Sequence, residues 1–212
     1  MPLYLFIETG CLLIGVLVGK TLFKNRLSKF IFLYTIISVL TDIAGYVISR
    51  GYGMQNGILF NIYDLFKYIS LFLYFRFYLQ TVSQKMFYAI AITYIFALSI
   101  DIILLPDIHD LMVFSTLAGD LGLVICSLIF FKKLLQEPAY ESILTVPVFW
   151  IVVGILLYFL GVLPYHLSWE FMVFKEVDSE GKLYRALLIM LIALHYISFS
   201  ISFLLWKFQK TT

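Results

Sequence analysis

Charge is scarce in this sequence. Charged residues make up 13% of the 212 positions, whereas hydrophobic residues make up 62%. A soluble domain carries about 25% charged and about 45–50% apolar residues, so the composition excludes an ordinary water-soluble protein. Cysteine is scarce as well. Cys11 and Cys126 both fall within apolar runs, where a thiol packs as a small apolar group, and they give no disulfide framework.

Signatures of common enzyme and cofactor classes are also missing. The chain has no Walker motif, nucleophile elbow, HExxH pair or dinucleotide fingerprint. The last apolar run has no lysine before Lys207 for a retinal Schiff base, and its His195 is the single histidine in an apolar run, which argues against a bis-histidine haem. We predict no catalytic residue, no cofactor and no nucleic-acid partner. An enzyme is disfavoured, although Asp42 and Asp64 could pair as protease acids.

Seven apolar runs are long enough to cross a membrane. An α-helix needs about 20 residues to span roughly 30 Å of hydrocarbon. The predicted class is all-α, a single domain over residues 1–212 that forms a polytopic bundle of seven transmembrane helices in the lipid bilayer. No cleavable signal peptide is expected, because the first basic residue, Lys20, follows the first apolar run. The predicted spans are residues 3–20, 30–49, 57–78, 86–105, 111–131, 145–163 and 184–206.

Basic residues predict the direction of the chain across the membrane, because Lys and Arg of short loops are retained on the cytoplasmic side. One alternating set of segments contains Lys20, Lys24, Arg26, Lys29, Arg76, Lys85, Lys132, Lys133, Lys207 and Lys210. The other set contains Arg50, Lys175, Lys182 and Arg185. The N-terminus is therefore predicted outside and the C-terminus in the cytoplasm.

Several ionisable side chains fall inside the predicted spans. Each costs about 2.5–3.5 kcal/mol on insertion scales, so such residues usually face a bundle interior or a wet cavity and mark function. At about 1.5 Å of rise per residue, all of them lie between the outer surface and the midplane. The sequence thus predicts a polar pocket that opens outward. The residues are Glu8, Asp42, Asp64, Lys67, Asp120 and His195.

Helix three carries the densest polar group. Asn61, Asp64, Lys67 and Tyr68 are spaced three and four apart, which puts them on one helix face. Two interpretations stay open. Asp64 and Lys67 could form an ion pair that lowers their cost of burial, or the face could line the pocket, with Asp42 or Asp120 competing for Lys67 or binding a cationic ligand. We take all four helix-three residues as candidate site residues for a ligand or a relay, together with Glu8, Asp42, Asp120 and His195.

Helices seven and six each carry a pattern that allows two interpretations. In helix seven, His195, Ser198 and Ser202 form a stripe, which is typical of helix packing through hydroxyl residues or of a proton relay. In helix six, Gly154 and Gly161 allow close approach, either by a neighbouring helix of the chain or by the membrane helix of a partner.

Two of the three outer connections also carry signals. The segment LPDIHDL has the metal-capable residues Asp107, His109 and Asp110, but Pro106 and Asp107 also fit the end of one helix and the cap of the next, so we predict no metal site. The segment FMVFKEVDSEGKLY, residues 171–184, has a turn signal between two short apolar runs. It predicts a small hairpin or lid over the pocket mouth.

The pair Asn61 and Asp64 opening helix three and the run FWIVVGILLYFLG of helix six give the chain a resemblance to uncharacterised bacterial seven-helix membrane proteins. Some of these resemble sensory regions that are fused to, or encoded beside, histidine kinases. The resemblance implies a location in the bacterial cytoplasmic membrane. Because the sequence ends shortly after helix seven, a sensor of this kind is expected to need a separate output partner.

Two functions follow from these patterns. In the first, the protein is a receptor or regulatory subunit that binds a small extracytoplasmic ligand and signals through a partner, docked on helix six or on the cytoplasmic basic loops. In the second, it is a small-solute transporter, in which a ligand and a proton pass along Asp64, Lys67 and the helix-seven stripe. The lack of charge in the inner half of the spans favours the first function.

Overall fold

The fold is known from a computed structural model. It describes residues 2–79, 84–104, 107, 110–136, 142–174 and 181–208, with the backbone alone described for 168–174. Helices account for 91% of the described residues, and none of these residues forms a strand. Seven of the helices in the described ranges are long and apolar enough to cross a membrane. The predicted all-α bundle of seven membrane-length helices is therefore confirmed.

The helices follow one another with short connections. Asn25 begins the second helix by accepting a hydrogen bond from the backbone of Leu27 at 2.8 Å, as an N-cap side chain does. A π-helical turn, Val47–Gly51, extends this helix, and a short 3₁₀ turn, Ile143–Thr145, precedes the sixth. The helices are α1 Leu3–Leu22, α2 Arg26–Tyr46, α3 Gly57–Tyr78, α4 Gln84–Leu104, α5 Val113–Gln136, α6 Pro147–Phe174 and α7 Lys182–Phe208.

The predicted boundaries are correct for α3 and wrong for α6. The sixth span was expected to end at residue 163, but α6 passes through Pro164 and continues to Phe174. Proline is tolerated in membrane helices because neighbouring groups satisfy the freed backbone. Both arms of the predicted hairpin, residues 171–174 and 182–184, are helical, so the hairpin prediction is wrong for the arms. Its turn, residues 175–180, lies outside the described residues.

Six helices close a ring in the order α1, α2, α3, α5, α6 and α7, because each packs on the next and α7 packs on α1. The fourth helix packs against α5 from outside this ring. Its buried side chains are confined to Tyr94, Ala97 and Asp101, and Tyr94 contacts the rings of Tyr68 and Phe72 on α3. The ring therefore encloses the interior, while α4 covers the α3–α5 seam.

The bundle has two chemically different halves. We call the half where α1, α3, α5 and α7 begin the N half and the opposite half the C half. The C half has a closed apolar core of side chains with no more than 1% exposure, and no acidic or basic residue is buried there in the described part of the chain. Its members include Leu22, Ile31, Leu71, Tyr74, Phe75, Leu123, Phe130, Ile151, Ile155, Phe199 and Phe203.

The glycines of α6 bring it close to α7. A Cβ atom added to Gly154 would lie 3.0 Å from the His195 carbonyl oxygen and 3.0 Å from Ser198 Cβ, and one added to Gly161 would overlap the Leu191 side chain. Both glycines therefore serve packing within the chain. This face of α6 is covered by α7.

We expect Gly154→Ala to destabilise the protein by about 1–3 kcal/mol, because backbone and Cβ atoms on α7 must move to admit the methyl group. The matched change Gly19→Ala, with no atom within 4 Å of the added Cβ, should be neutral or stabilising by up to about 1 kcal/mol through helix propensity. Thermal unfolding in detergent measures both. Equal effects at the two positions would contradict the close approach of α6 and α7.

Candidate functional site

An ion pair lies inside the N half on α3. Lys67 Nζ is 2.6 Å from Asp64 Oδ1, with the side chains 13% and 27% exposed. Thr116 of α5 lies with its Oγ1 3.4 Å from the other carboxylate oxygen, Asp64 Oδ2. The Lys67 ammonium also lies 4.6 Å from the centre of the Tyr68 ring, a favourable cation–π distance. The structure thus contains the ion pair that the helix spacing allowed, and this pair is partly accessible.

Asp120 of α5 is a buried acid with two side-chain partners. Its side chain is 1% exposed. Its Oδ1 accepts a hydrogen bond from Tyr68 Oη at 2.6 Å, and its Oδ2 lies 2.9 Å from His166 Nδ1. A buried carboxylate is stable only when its oxygens are paired. These contacts join α3, α5 and α6.

His166 was missing from the sequence-based candidates because the predicted span ended before it. A signal for the longer helix was present, since the apolar residues Phe159, Val162 and Tyr165 continue at helical spacing across Pro164. All three apolar side chains are buried. The His166 side chain is 26% exposed, so one face of it remains accessible.

Two polar residues of the N half, Asn61 and Asp101, bind backbone groups at or just before the start of α5. Asn61 donates to the carbonyl oxygen of Asp110 at 2.8 Å and accepts from the Met112 amide at 3.2 Å. Asp101 of α4 accepts from the amides of Phe114 and Ser115 at the start of α5, at 3.0 and 2.6 Å. Asp101, rather than the expected Asp107, therefore binds these first-turn amides. Asn61, which was expected in the pocket, binds the backbone of the connection that leads into α5.

Glu8 of α1 and Asp42 of α2 face each other. Glu8 is 1% exposed, and the Asp42 carboxyl group is its side-chain neighbour. Among the described residues, Glu8 Oε2 has no hydrogen-bond partner. Asp42 is only partly buried. The two acids thus form a carboxyl pair between neighbouring helices.

His195 lies near the middle of α7 and is 5% exposed. Its Nδ1 lies 3.0 Å from the Gly154 carbonyl oxygen, which can only accept, so Nδ1 carries the proton. The ring lies among aromatic side chains, including Phe199 at a centroid distance of 4.2 Å. Ser202, farther along the predicted stripe, is fully buried and its Oγ has no hydrogen-bond partner. Within the described residues, Ser202 is therefore packed without a hydrogen bond to the rest of the stripe.

A hydroxyl network that the sequence did not predict connects three helices. Ser38 Oγ of α2 lies 2.6 Å from Tyr63 Oη of α3 and 2.7 Å from Tyr196 Oη of α7. Tyrosines are frequent in the apolar runs of this chain, so their spacing alone gives no signal for such a link. The network lies beside the acids, since Asp42 is four residues from Ser38 on α2.

The N half therefore concentrates charge inside the bundle. Asp42 and Asp120 both lie within electrostatic range of Lys67, in addition to its direct partner Asp64. Of the predicted site residues, Asp64, Lys67, Tyr68 and Asp120 form one connected group with His166. We define the polar cluster as Glu8, Asp42, Asp64, Lys67, Asp120 and His166.

Comparison of the chain with protein-family models, curated proteins and solved structures finds no match. The geometry of the polar cluster therefore carries the functional interpretation. No group of three His, Cys, Asp or Glu side chains in the described ranges is arranged to hold a metal ion.

We expect Tyr68→Phe to destabilise the protein by about 1.5–3 kcal/mol, because it removes a hydrogen bond to the buried Asp120 carboxylate. The control is Tyr74→Phe on the same helix. Tyr74 is also fully buried, but its hydroxyl has no partner, so its removal should be neutral or stabilising. Thermal unfolding of both variants gives the comparison, and a larger loss at Tyr74 would contradict the assigned role of Tyr68.

Proposed function

We propose that this protein is a membrane receptor or regulatory subunit that binds a small extracytoplasmic ligand in the polar cluster and signals through a partner protein. The observation that carries the proposal is the contrast between the two halves. The N half contains part-exposed ionisable side chains, with Asp64 27% and His166 26% exposed. The C half is filled by fully buried apolar side chains. A site that is open on one side and closed on the other suits binding better than passage.

In this proposal the N half faces the outside of a bacterial cytoplasmic membrane. The support is the distribution of basic residues, which flank the C half far more often than the N half. Lys24, Lys29 and Lys132 are exposed at that end of the helices. We propose these basic connections as the docking surface for a cytoplasmic partner, since the glycine face of α6 is covered by α7.

A ligand can act on this bundle by changing the polar contacts that join different helices. The Asp120 contacts connect α5 to α3 and α6, and Thr116 brings α5 to Asp64. A ligand that competes for Lys67 or Asp64 changes how α3 is held against α5. It shifts the equilibrium between two arrangements only by as much as its affinities for them differ.

One-sided access to Thr116 tests the proposal. The variant Thr116→Cys is treated with a membrane-impermeant, cationic methanethiosulfonate reagent in right-side-out and inside-out vesicles. We expect labelling from the outer face only. Cys11 and Cys126 are 2% and 0% exposed, so the unmodified chain provides the background, and Ser202→Cys, at a fully buried position of the C half, should stay unlabelled from both faces.

A small-solute transporter is the second candidate. The observation that favours it is the pair of unpartnered hydroxyls in the C half, Tyr74 Oη and Ser202 Oγ, which could receive a polar solute in another arrangement of the helices. Alternating access would then label Thr116→Cys from both faces. That result would replace the receptor proposal with transport, and labelling from the inner face alone would overturn the orientation.

A further inference from the structure

The carboxyl pair of Glu8 and Asp42 is incomplete as the chain builds it. Glu8 is 1% exposed, and its Oε2 has no hydrogen-bond partner among the described residues. A buried polar atom without a partner costs about 1–3 kcal/mol. The group beside it is Asp42, a second acid. The pair therefore leaves a buried carboxyl oxygen of Glu8 without a partner beside a second acid.

The basic side chains of the polar cluster are held elsewhere. Lys67 Nζ is bonded to Asp64 at 2.6 Å, and His166 Nδ1 faces Asp120 at 2.9 Å. Two acids in contact repel unless a positive charge, a proton or a bound cation, lies with them. With four acids and one lysine, the polar cluster has an excess of acidic groups. In the described residues this excess is concentrated at Glu8 and Asp42.

Aromatic side chains border the same place. Tyr4 lies within electrostatic range of Glu8, Asp42 and Tyr46. Tyr4, Asp42 and Tyr46 are each partly exposed, so the pair is accessible on the Asp42 side. Tyrosine rings attract organic cations through their faces. Carboxyl groups bordered by tyrosines are the chemistry that recognises an ammonium group.

We propose that Glu8 and Asp42 bind the protonated amine of a small organic ligand. This assignment rests on the proposed function and names the ligand class of its site. An ammonium group has three N–H donors, which satisfy Glu8 Oε2 and the Asp42 carboxylate together. A metal ion fits less well, because the described residues contain no third acidic, histidine or cysteine ligand placed to complete a metal site.

The experiment uses the full chain in lipid nanodiscs and n-butylammonium chloride as the probe. The thermal unfolding midpoint is measured against probe concentration, with tetramethylammonium chloride and sodium chloride at equal ionic strength as cation controls. We expect butylammonium alone to raise the midpoint, because a ligand that binds the folded state stabilises it. The apparent affinity should fall about 30-fold or more in Glu8→Gln and in Asp42→Asn, as loss of one partner of a buried charge pair implies.

The matched control is Asp107→Asn. It removes one acid from an exposed position at the same end of the bundle and should leave the butylammonium response unchanged. Equal stabilisation by sodium or tetramethylammonium would overturn recognition of the ammonium N–H groups. An absent response in the unmodified chain, or an equal response in Glu8→Gln and Asp42→Asn, would overturn the site. Neither result changes the labelling of Thr116→Cys, so failure of the ligand class and failure of the receptor proposal are distinguishable.

Discussion

Pairing of charge in a medium of low polarity is the constraint on which the N half depends. An ionised side chain inside a membrane bundle is costly, and it persists where a partner of opposite charge or a hydrogen bond meets it. Asp64 meets Lys67, and Asp120 meets Tyr68 and His166. Because these partners lie on α3, α5 and α6, satisfying the charges also fixes how three helices of the ring pack. The apolar C half needs no such partners and is held by close packing.

The seven helices and the confinement of charge to one half could be predicted from the sequence, because both are local properties. A long apolar run gives a membrane-length helix, and helical spacing puts Asn61, Asp64, Lys67 and Tyr68 on one face. The α3 bounds, Gly57–Tyr78, agree with the predicted span at both ends. The pair of Lys67 and Asp64 is one of the two arrangements that the sequence left open, and their spacing of three residues allows it.

The roles that involve distant residues could not be predicted in this way. Asn61 donates a hydrogen bond to the Asp110 carbonyl oxygen, and Asp101 accepts one from the Ser115 amide in the first turn of α5. Both residues therefore have structural roles, and these depend on contacts between distant residues that helical spacing does not reveal. His166 was assigned to a loop because proline usually ends a helix in water, whereas α6 continues through Pro164. The pairing of Glu8 with Asp42 depends on which helices are neighbours, which hydropathy does not specify.

The second helix connects the carboxyl pair to the rest of the ring. Ser38 and Asp42 are four residues apart, which puts them on one face of α2. Asp42 faces Glu8 of α1, while Ser38 bonds Tyr63 of α3 and Tyr196 of α7. A cation bound between Glu8 and Asp42 would draw α2 towards α1 and change the geometry of those two hydroxyl bonds. Since α7 runs from this network to the C end of the bundle at Phe208, α2 and α7 connect the carboxyl pair to the side of the bundle that we propose for partner docking.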